Sequence, residues 1–159
     1  MSQTMIEKLK QLALEQNRLK HPNFPDAYRP VPKYSDKTAN GLTKCIIDWI
    51  TFSGYQAERI STMGRVLDNR KTYTNVIGQN VTIGSTQYIP GTGTKGSADI
   101  SATIKGRSVK IEVKIGKDKQ SDAQKKYQSN IERSGGVYLI ARNFDEFCIW
   151  YNNFIYLHP

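Results

Sequence analysis

The most constraining feature of this chain is a pair of alternating segments, Ala98 to Ile104 and Arg107 to Ile115, separated by only two residues. From Val109 onward, branched aliphatic side chains take every second position and polar or charged ones lie between them. Side chains alternate between the two faces of a strand, so this pattern predicts two β-strands that share one apolar face. The intervening Lys105-Gly106 predicts a two-residue hairpin turn, although Lys-Gly is a weaker turn signal than Asn-Gly.

The loop length sets the register of this hairpin and brings two carboxylates together. Counting back from a two-residue loop pairs Ile100 with Ile111 and places Asp99 opposite Glu112 on the polar face. Lys114 lies two residues from Glu112 on that face. Two opposed carboxylates are unfavourable unless a cation neutralises them. With a backbone carbonyl they form a hard oxygen site suited to Mg²⁺ or Mn²⁺, beside which a lysine ammonium can stabilise a phosphate or an attacking water.

The alternative interpretation is a solvated hairpin face on which Lys110 and Lys114 pair with Asp99 and Glu112, as is common in proteins. Two features of the flanking sequence favour a functional site. A glycine-rich loop precedes Asp99, which lets a substrate approach the backbone closely. Residues 105–126 contain eight basic and three acidic side chains, and this excess suits a phosphodiester substrate with a bound metal.

The composition predicts one hydrophobic core and favours a polyanionic partner. The chain has 159 residues, of which 38% are hydrophobic, and its 23 basic and 14 acidic residues give a net charge of +9. Its longest apolar runs fall far short of the roughly 20 residues that cross a bilayer, and its first residues lack a signal-peptide pattern, so no membrane partner is expected. Cys45 and Cys148 lie among apolar neighbours and are expected to be reduced core residues. The two histidines, near opposite ends of the chain, argue against a histidine-based zinc site.

The remaining elements are predicted from periodicity and from helix and turn signals. Helices are predicted over residues 4–20, 37–53, 121–134 and 143–152, and strands over 56–61 and 136–141. Four prolines follow the first helix, which predicts an N-terminal helix and tether over 1–36 and a main domain over 37–159. The first helix is either docked on that domain or an arm that contacts DNA. Residues 62–90 are interpreted as a β-hairpin insertion that is either simply solvated or grips DNA or a second copy.

The predicted helix at 121–134 begins with Ser121-Asp122-Ala123-Gln124, which matches a capping box. Capping alone would explain Ser121 and Gln124. Gln124 nevertheless lies on the first turn of this helix, where Lys125 and Lys126 add phosphate-binding charge.

Three segments together resemble the PD-(D/E)xK nuclease core: Gly96-Ser97-Ala98-Asp99, Ile111-Glu112-Val113-Lys114 and Ser121-Asp122-Ala123-Gln124. The pattern is most similar to the VRR-NUC (virus-type replication-repair nuclease) branch, which includes small standalone phage and mobile-element proteins, and it covers about residues 38–142. The resemblance implies the α/β (α+β) class, with a restriction-endonuclease-like αβββαβ core and a mixed central sheet. The N-terminal helix and the hairpin insertion are additions to that core. It also implies a metal-dependent endonuclease in the cytoplasm of a bacterium or phage-infected cell.

Carried over to this sequence, the resemblance implies that Asp99, Glu112 and the Val113 carbonyl ligate Mg²⁺ or Mn²⁺. Lys114 would then position or activate the nucleophilic water, and Gln124 would line the site. The basic residues expected to contact DNA are Arg59, Lys95, Lys110, Lys117, Lys119, Lys125 and Lys126.

The chain departs from the family pattern in two places. Ala98 replaces the proline of the motif's name, and residues 38–43 lack the glutamate that the family often carries on its first core helix. Asn40 is the nearest substitute as a metal ligand, although a helix N-cap is an equally good explanation for it. Arg59 would contact phosphate, or pair with Glu58 or a neighbouring residue.

These features leave three functions open. The first is an endonuclease that hydrolyses DNA phosphodiester bonds, with flap or Holliday-junction-like DNA as candidate substrates. The second is a non-catalytic nucleic-acid-binding protein that retains the nuclease fold. The third, a protein that uses its charge at a membrane surface, has no long amphipathic basic helix or lipidation motif to support it. A chain with one site needs a second copy to cut two strands symmetrically, so a homodimer is also open. The C-terminal aromatic residues, which would form its interface or cap the core, are Trp150, Tyr151, Phe154 and Tyr156.

Overall fold

The computed structural model describes residues 4–62 and 64–159, which form a mixed α+β structure. Its helices are α1 (Met5–Lys20), α2 (Ala39–Phe52), α3 (Asp122–Arg133) and α4 (Phe144–Leu157). Its strands are β1 (Gln56–Arg59), β2 (Arg65–Asp68), β3 (Lys71–Thr74), β4 (Asn80–Ile83), β5 (Thr86–Ile89), β6 (Ile100–Ile104), β7 (Arg107–Val113) and β8 (Val137–Ala141). The chain divides into two compact units, one of residues up to 60 together with 96–159, and one of residues 61–95.

A four-stranded sheet organises the larger unit, with strand order β1-β6-β7-β8. The first two pairings are antiparallel and β7 pairs with β8 in parallel, so the sheet is mixed as predicted. A parallel pair needs a crossover connection, and α3 lies in the chain between β7 and β8 and packs on β8. The elements from α2 to β8 in this unit therefore follow in the order α-β-β-β-α-β.

The predicted hairpin and its register are confirmed. Ile104 pairs with Arg107, and Ile100 pairs with Ile111. The turn residues Lys105 and Gly106 have φ values of 51° and 74°, the pair of positive angles that a type I′ turn requires. The inward-facing aliphatic residues of both strands are buried, which fixes the register against a one-residue slip.

Helices α2 and α4 pack on the apolar face of the sheet, and α1 packs on α2 and α4. The buried face of α2 consists of the predicted apolar residues, Leu42, Cys45, Ile46, Trp49 and Ile50, together with Thr43. Leu9 of α1 is fully buried in the same core, so α1 is docked on the domain, one of the two predicted alternatives. Cys45 and Cys148 are both buried free thiols, as expected.

Helix α4 is longer than predicted, because apolar packing continues beyond the predicted end at residue 152. Asn152 and Asn153 are weak helix formers, yet Tyr151 and Phe154 are 5% and 6% exposed and belong to the core. Tyr156 near the end of the helix is 84% exposed. Two of the C-terminal aromatic residues therefore complete the core.

Residues 61–95 form a separate β unit. It contains two two-stranded sheets, β2 with β5 and β3 with β4, where the sequence predicts a single hairpin or strand pair. The β3–β4 pair lies between β2 and β5 in the chain. The prediction of paired β-strands is therefore confirmed, but the interruption at residues 69–70 was not predicted. Every described residue of this unit is at least partly exposed.

Candidate active site

Asp99 lies where three strands meet. Its backbone carbonyl accepts a hydrogen bond from the Ile60 N–H at 2.8 Å, just after β1. Its side-chain Oδ2 accepts one from the Val113 N–H at 2.9 Å, at the end of β7. A residue in a strand directs its N–H and C=O toward the same neighbour, so we infer that the Val113 carbonyl also faces the Asp99 side.

Glu112 and Lys114 are buried charged side chains on the polar face of β7. Glu112 is 2% exposed and Lys114 is 7% exposed. The Lys114 Nζ lies 3.0 Å from Glu112 Oε1, while Glu112 Oε2 is buried without a hydrogen-bond partner among the described residues. Removing these charges from water is unfavourable, so this part of the hairpin is not the solvated face of the alternative interpretation.

Gln124 connects the buried pair to the start of α3. Its side-chain Nε2 donates to Glu112 Oε1, and its Oε1 accepts from Lys114 Nζ at 3.1 Å. The same Oε1 accepts from the Ser121 N–H at 2.9 Å, which completes the capping box. The Gln124 side chain therefore caps α3 and also contacts the buried Glu112–Lys114 pair.

Gly96 allows α3 to begin at this position. It has a φ of +81°, and a Cβ added to it would lie 2.5 Å from the backbone of Ala123 in the first turn of α3. A residue with a side chain therefore meets both backbone strain and a collision with backbone atoms. The glycine lets the loop before Asp99 and the first turn of α3 approach closely, which holds Gln124 near β7.

The surroundings of Glu112 act on its pKa in opposite directions. Burial raises the pKa of Glu112, Lys114 opposes that rise, and the negative charge of Asp99 adds to it. Tyr138 of β8 lies close by, and burial together with the charge of Glu112 raises its pKa to about 12. The Tyr138 hydroxyl lies close enough to Glu112 to lower the pKa of that carboxyl, although neither this hydroxyl nor Glu112 Oε2 makes a hydrogen bond of normal geometry with the described residues.

These donors fit a hard divalent cation. Asp99 and Glu112 supply carboxylates, Glu112 Oε2 has an unused acceptor, and the Val113 carbonyl faces the same side. Residues 4–62 and 64–159 contain no group of three or more His, Cys, Asp or Glu side chains placed to hold a metal. Mg²⁺ needs no such group, because one or two carboxylates commonly hold it while it keeps several waters.

The predicted extra ligand, Asn40, is engaged elsewhere. Its Oδ1 accepts a hydrogen bond from the Arg59 guanidinium at 2.8 Å, so Arg59 contacts Asn40 rather than Glu58. The N-cap explanation for Asn40 is wrong, because Thr38 caps α2 by accepting from the Gly41 N–H. Thr38 is the N-cap because its side chain lies three residues before the Gly41 N–H, which is the separation that a capping side chain bridges.

The predicted DNA-contacting lysines fall into three groups. Lys110 is partly buried, and its Nζ donates to Ser101 Oγ at 2.5 Å across the hairpin. Lys95 belongs to the separate unit of residues 61–95. The others are exposed around the start of α3: Lys117, Lys119, Lys125 and Lys126.

Two features of the site were not predicted: the position of Tyr138 near Glu112, and the close approach of Gly96 to the backbone of α3. Tyr138 pairs with Lys110 through the parallel register of β7 and β8, which no local sequence signal reveals. Gly96 was named as part of a glycine-rich loop and of the Gly96-Ser97-Ala98-Asp99 motif, but its close contact with the first turn of α3 was not predicted.

No protein-family model, curated protein or solved structure matches this chain. Among the described residues, no helix is both long and apolar enough to cross a membrane.

Proposed function

We propose that this protein is a metal-dependent endonuclease that hydrolyses DNA phosphodiester bonds, with the PD-(D/E)xK type of site that its three motifs resemble. The observation that carries the proposal is the buried Glu112–Lys114 pair close to Asp99, in which Glu112 Oε2 accepts no hydrogen bond of normal geometry from the described residues. A protein that only binds DNA needs basic charge on its surface, and it gains nothing from two buried charges.

Asp99, Glu112 and the Val113 carbonyl would hold Mg²⁺ or Mn²⁺. The cation, when bound, supplies charge stabilisation for the phosphate and lowers the pKa of a coordinated water. Its positive charge would also offset the burial that raises the pKa of Glu112 and so keep that carboxylate ionised.

Lys114 would act on the phosphate or the attacking water. Glu112 and Gln124 hold its ammonium at 3.0 and 3.1 Å, so its position is fixed before substrate arrives. A fixed charge needs no reorganisation during the reaction, which is the usual source of electrostatic catalysis. Gln124 positions both charged groups through one amide.

The exposed lysines at the start of α3 would bind the DNA backbone. The helix N-terminus adds its own partial positive charge at the same place. Arg59, held by Asn40, would provide a further phosphate contact.

A nicking assay with Asp99→Asn tests this proposal. The amide keeps an acceptor for the Val113 N–H but removes the charge, so we expect cleavage of supercoiled DNA with Mn²⁺ to fall at least about 100-fold. Asp122→Asn is the matched control, because Asp122 is a fully exposed carboxylate on α3. Equal cleavage by Asp99→Asn and wild type would refute the assignment.

A further inference from the structure

Residues 65–89 form a β-ribbon of two successive two-stranded sheets. β2 pairs with β5 and β3 pairs with β4, and a hydrogen bond from the Asn69 N–H to the Ser85 carbonyl at 3.2 Å bridges the interruption between them. Each strand has four residues, which corresponds to roughly 13 Å of strand. A two-stranded ribbon of this length is only marginally stable alone, which suggests that its exposed surface serves a partner.

The tip of the ribbon is a defined turn. The Asn75 N–H donates to the Gln79 carbonyl at 2.8 Å, and Asn75 Oδ1 accepts from the N–H groups of Ile77 and Gln79 at 3.1 and 2.9 Å. These bonds hold Val76 and Ile77 in water, where they are 104% and 73% exposed. Two adjacent aliphatic side chains fixed at the tip of a ribbon are unfavourable in water unless something covers them.

The distal half of the ribbon has two different faces. On one face Thr72 bonds Thr82 at 2.8 Å and Thr74 bonds Asn80 at 2.9 Å, so the polar side chains satisfy one another. The other face carries two cross-strand pairs, which are Tyr73 with Val81 and Lys71 with Ile83. Tyr73 and Ile83 are 50% and 53% exposed.

The charge of this unit favours a polyanion over a second copy of the chain. Residues 61–95 contain four basic residues and one acidic residue. That acid, Asp68, is bound by Arg70 at 2.7 Å, which leaves Arg65 and Lys71 exposed on the ribbon. Two such ribbons would repel each other, whereas both lysine and arginine attract DNA phosphates.

We propose that residues 65–89 are a DNA-binding ribbon whose tip residues, Val76 and Ile77, insert between weakly stacked bases while Arg65 and Lys71 contact phosphates. The choice of DNA as partner rests on the proposed function. Proteins that insert aliphatic side chains into the minor groove unstack a base step and kink the duplex, and a branch point or flexible step lowers the energy that this requires. The ribbon would thus direct the protein to branched or deformable DNA.

Fluorescence of 2-aminopurine, which rises when the base unstacks, tests the insertion. The full-length protein is titrated in EDTA into a four-way junction that carries 2-aminopurine at the branch point. Wild type is expected to raise the fluorescence. Val76→Ser/Ile77→Ser is expected to abolish the rise and to weaken binding about tenfold, a change of about 1.4 kcal/mol. The matched control is Ile149→Ser, since Ile149 is a 64% exposed aliphatic residue on α4.

A rise in fluorescence that persists in the double variant would overturn the proposal. So would sedimentation showing that the double variant converts a dimer to a monomer while DNA binding stays unchanged, because the tip would then cover a second copy. EDTA prevents metal-dependent cleavage, so this result is separate from the nuclease activity. A positive result with no cleavage under any metal would refute the proposed function and keep the ribbon as a DNA-binding element.

Discussion

Glu112 and Lys114 are charged side chains that lie inside the protein, and their burial separates two interpretations of the same hairpin. On a solvated face, each would pair weakly with whichever opposite charge lay nearest. Here Gln124 joins them through one amide, and Glu112 Oε2 accepts no hydrogen bond of normal geometry from the part of the chain that the structure describes. At the scale of single residues, the protein has a preformed positive charge next to an unsatisfied carboxylate oxygen.

Lys114→Met tests the role of that positive charge. The substitution keeps the aliphatic stem and removes the ammonium, so we expect the single-turnover cleavage rate to fall by about 10²–10⁴-fold. We also expect a lower melting temperature, because Glu112 becomes an unpaired buried group. Adding Glu112→Gln to Lys114→Met should recover stability without recovering cleavage.

Lys44→Met provides the matched control for this measurement. It also removes a lysine bound to a carboxylate, since Lys44 Nζ lies 2.5 Å from Asp48 Oδ2, but that pair is on α2 and the Lys44 side chain is 60% exposed. A cleavage rate for Lys114→Met equal to that of Lys44→Met would contradict a catalytic role.

At the scale of elements, the register of the hairpin was predictable and the register of the parallel β7–β8 pair was not. Loop length and alternation are local properties, so they fixed the register that pairs Ile100 with Ile111. The parallel register of β7 and β8 depends on how α3 packs, and it alone places Tyr138 beside Glu112. The alternation of β7 marks Glu112 and Lys114 as residues of the polar face and gives no sign that they are buried. The sequence of α3 gives none either, since every residue of this helix remains at least partly exposed.

Gly96→Ala tests whether the loop positions α3. The added Cβ would lie 2.5 Å from the Ala123 backbone, so α3 must shift and carry Gln124 away from the buried pair. We expect a lower melting temperature and a cleavage loss of at least about tenfold, since small displacements at a reacting centre have large effects.

Gly106→Ala separates the collision from the backbone strain. Gly106 has a φ of +74°, close to the +81° of Gly96, but an added Cβ there meets nothing within 4 Å. We expect Gly106→Ala to lower stability by about 1 kcal/mol and to leave cleavage unchanged. Equal activity losses in the two variants would contradict the positioning argument.

At the scale of the whole molecule, the net charge of +9 indicates a polyanionic partner without locating its surface. The structure puts four exposed lysines near the start of α3, on the side of the sheet opposite α1, α2 and α4. The two faces of the sheet thus differ: one packs against the apolar core, and the other carries the polar cluster of Glu112, Lys114 and Gln124 with basic residues around it.

Lys125→Ala/Lys126→Ala tests this division. Each phosphate contact contributes about 0.9 to the slope of log affinity against log salt, so we expect the double variant to reduce that slope by about 2. Lys8→Ala/Lys20→Ala on α1 is the matched control and should leave the slope unchanged. Binding to duplex DNA in EDTA at several salt concentrations gives both slopes, and equal slopes for the two double variants would place the DNA elsewhere.

The most direct test of the central claim is cleavage by wild type and Glu112→Gln on labelled duplex, single-stranded, flap and four-way-junction DNA, each with Mg²⁺, Mn²⁺ or EDTA. We predict that wild type cleaves at least one of these DNAs with Mg²⁺ or Mn²⁺ and does not cleave in EDTA. We also predict that Glu112→Gln binds DNA but does not cleave it. Binding without cleavage by wild type under every condition would contradict it and favour a non-catalytic DNA-binding protein. Undiminished cleavage by Glu112→Gln would contradict the assigned site.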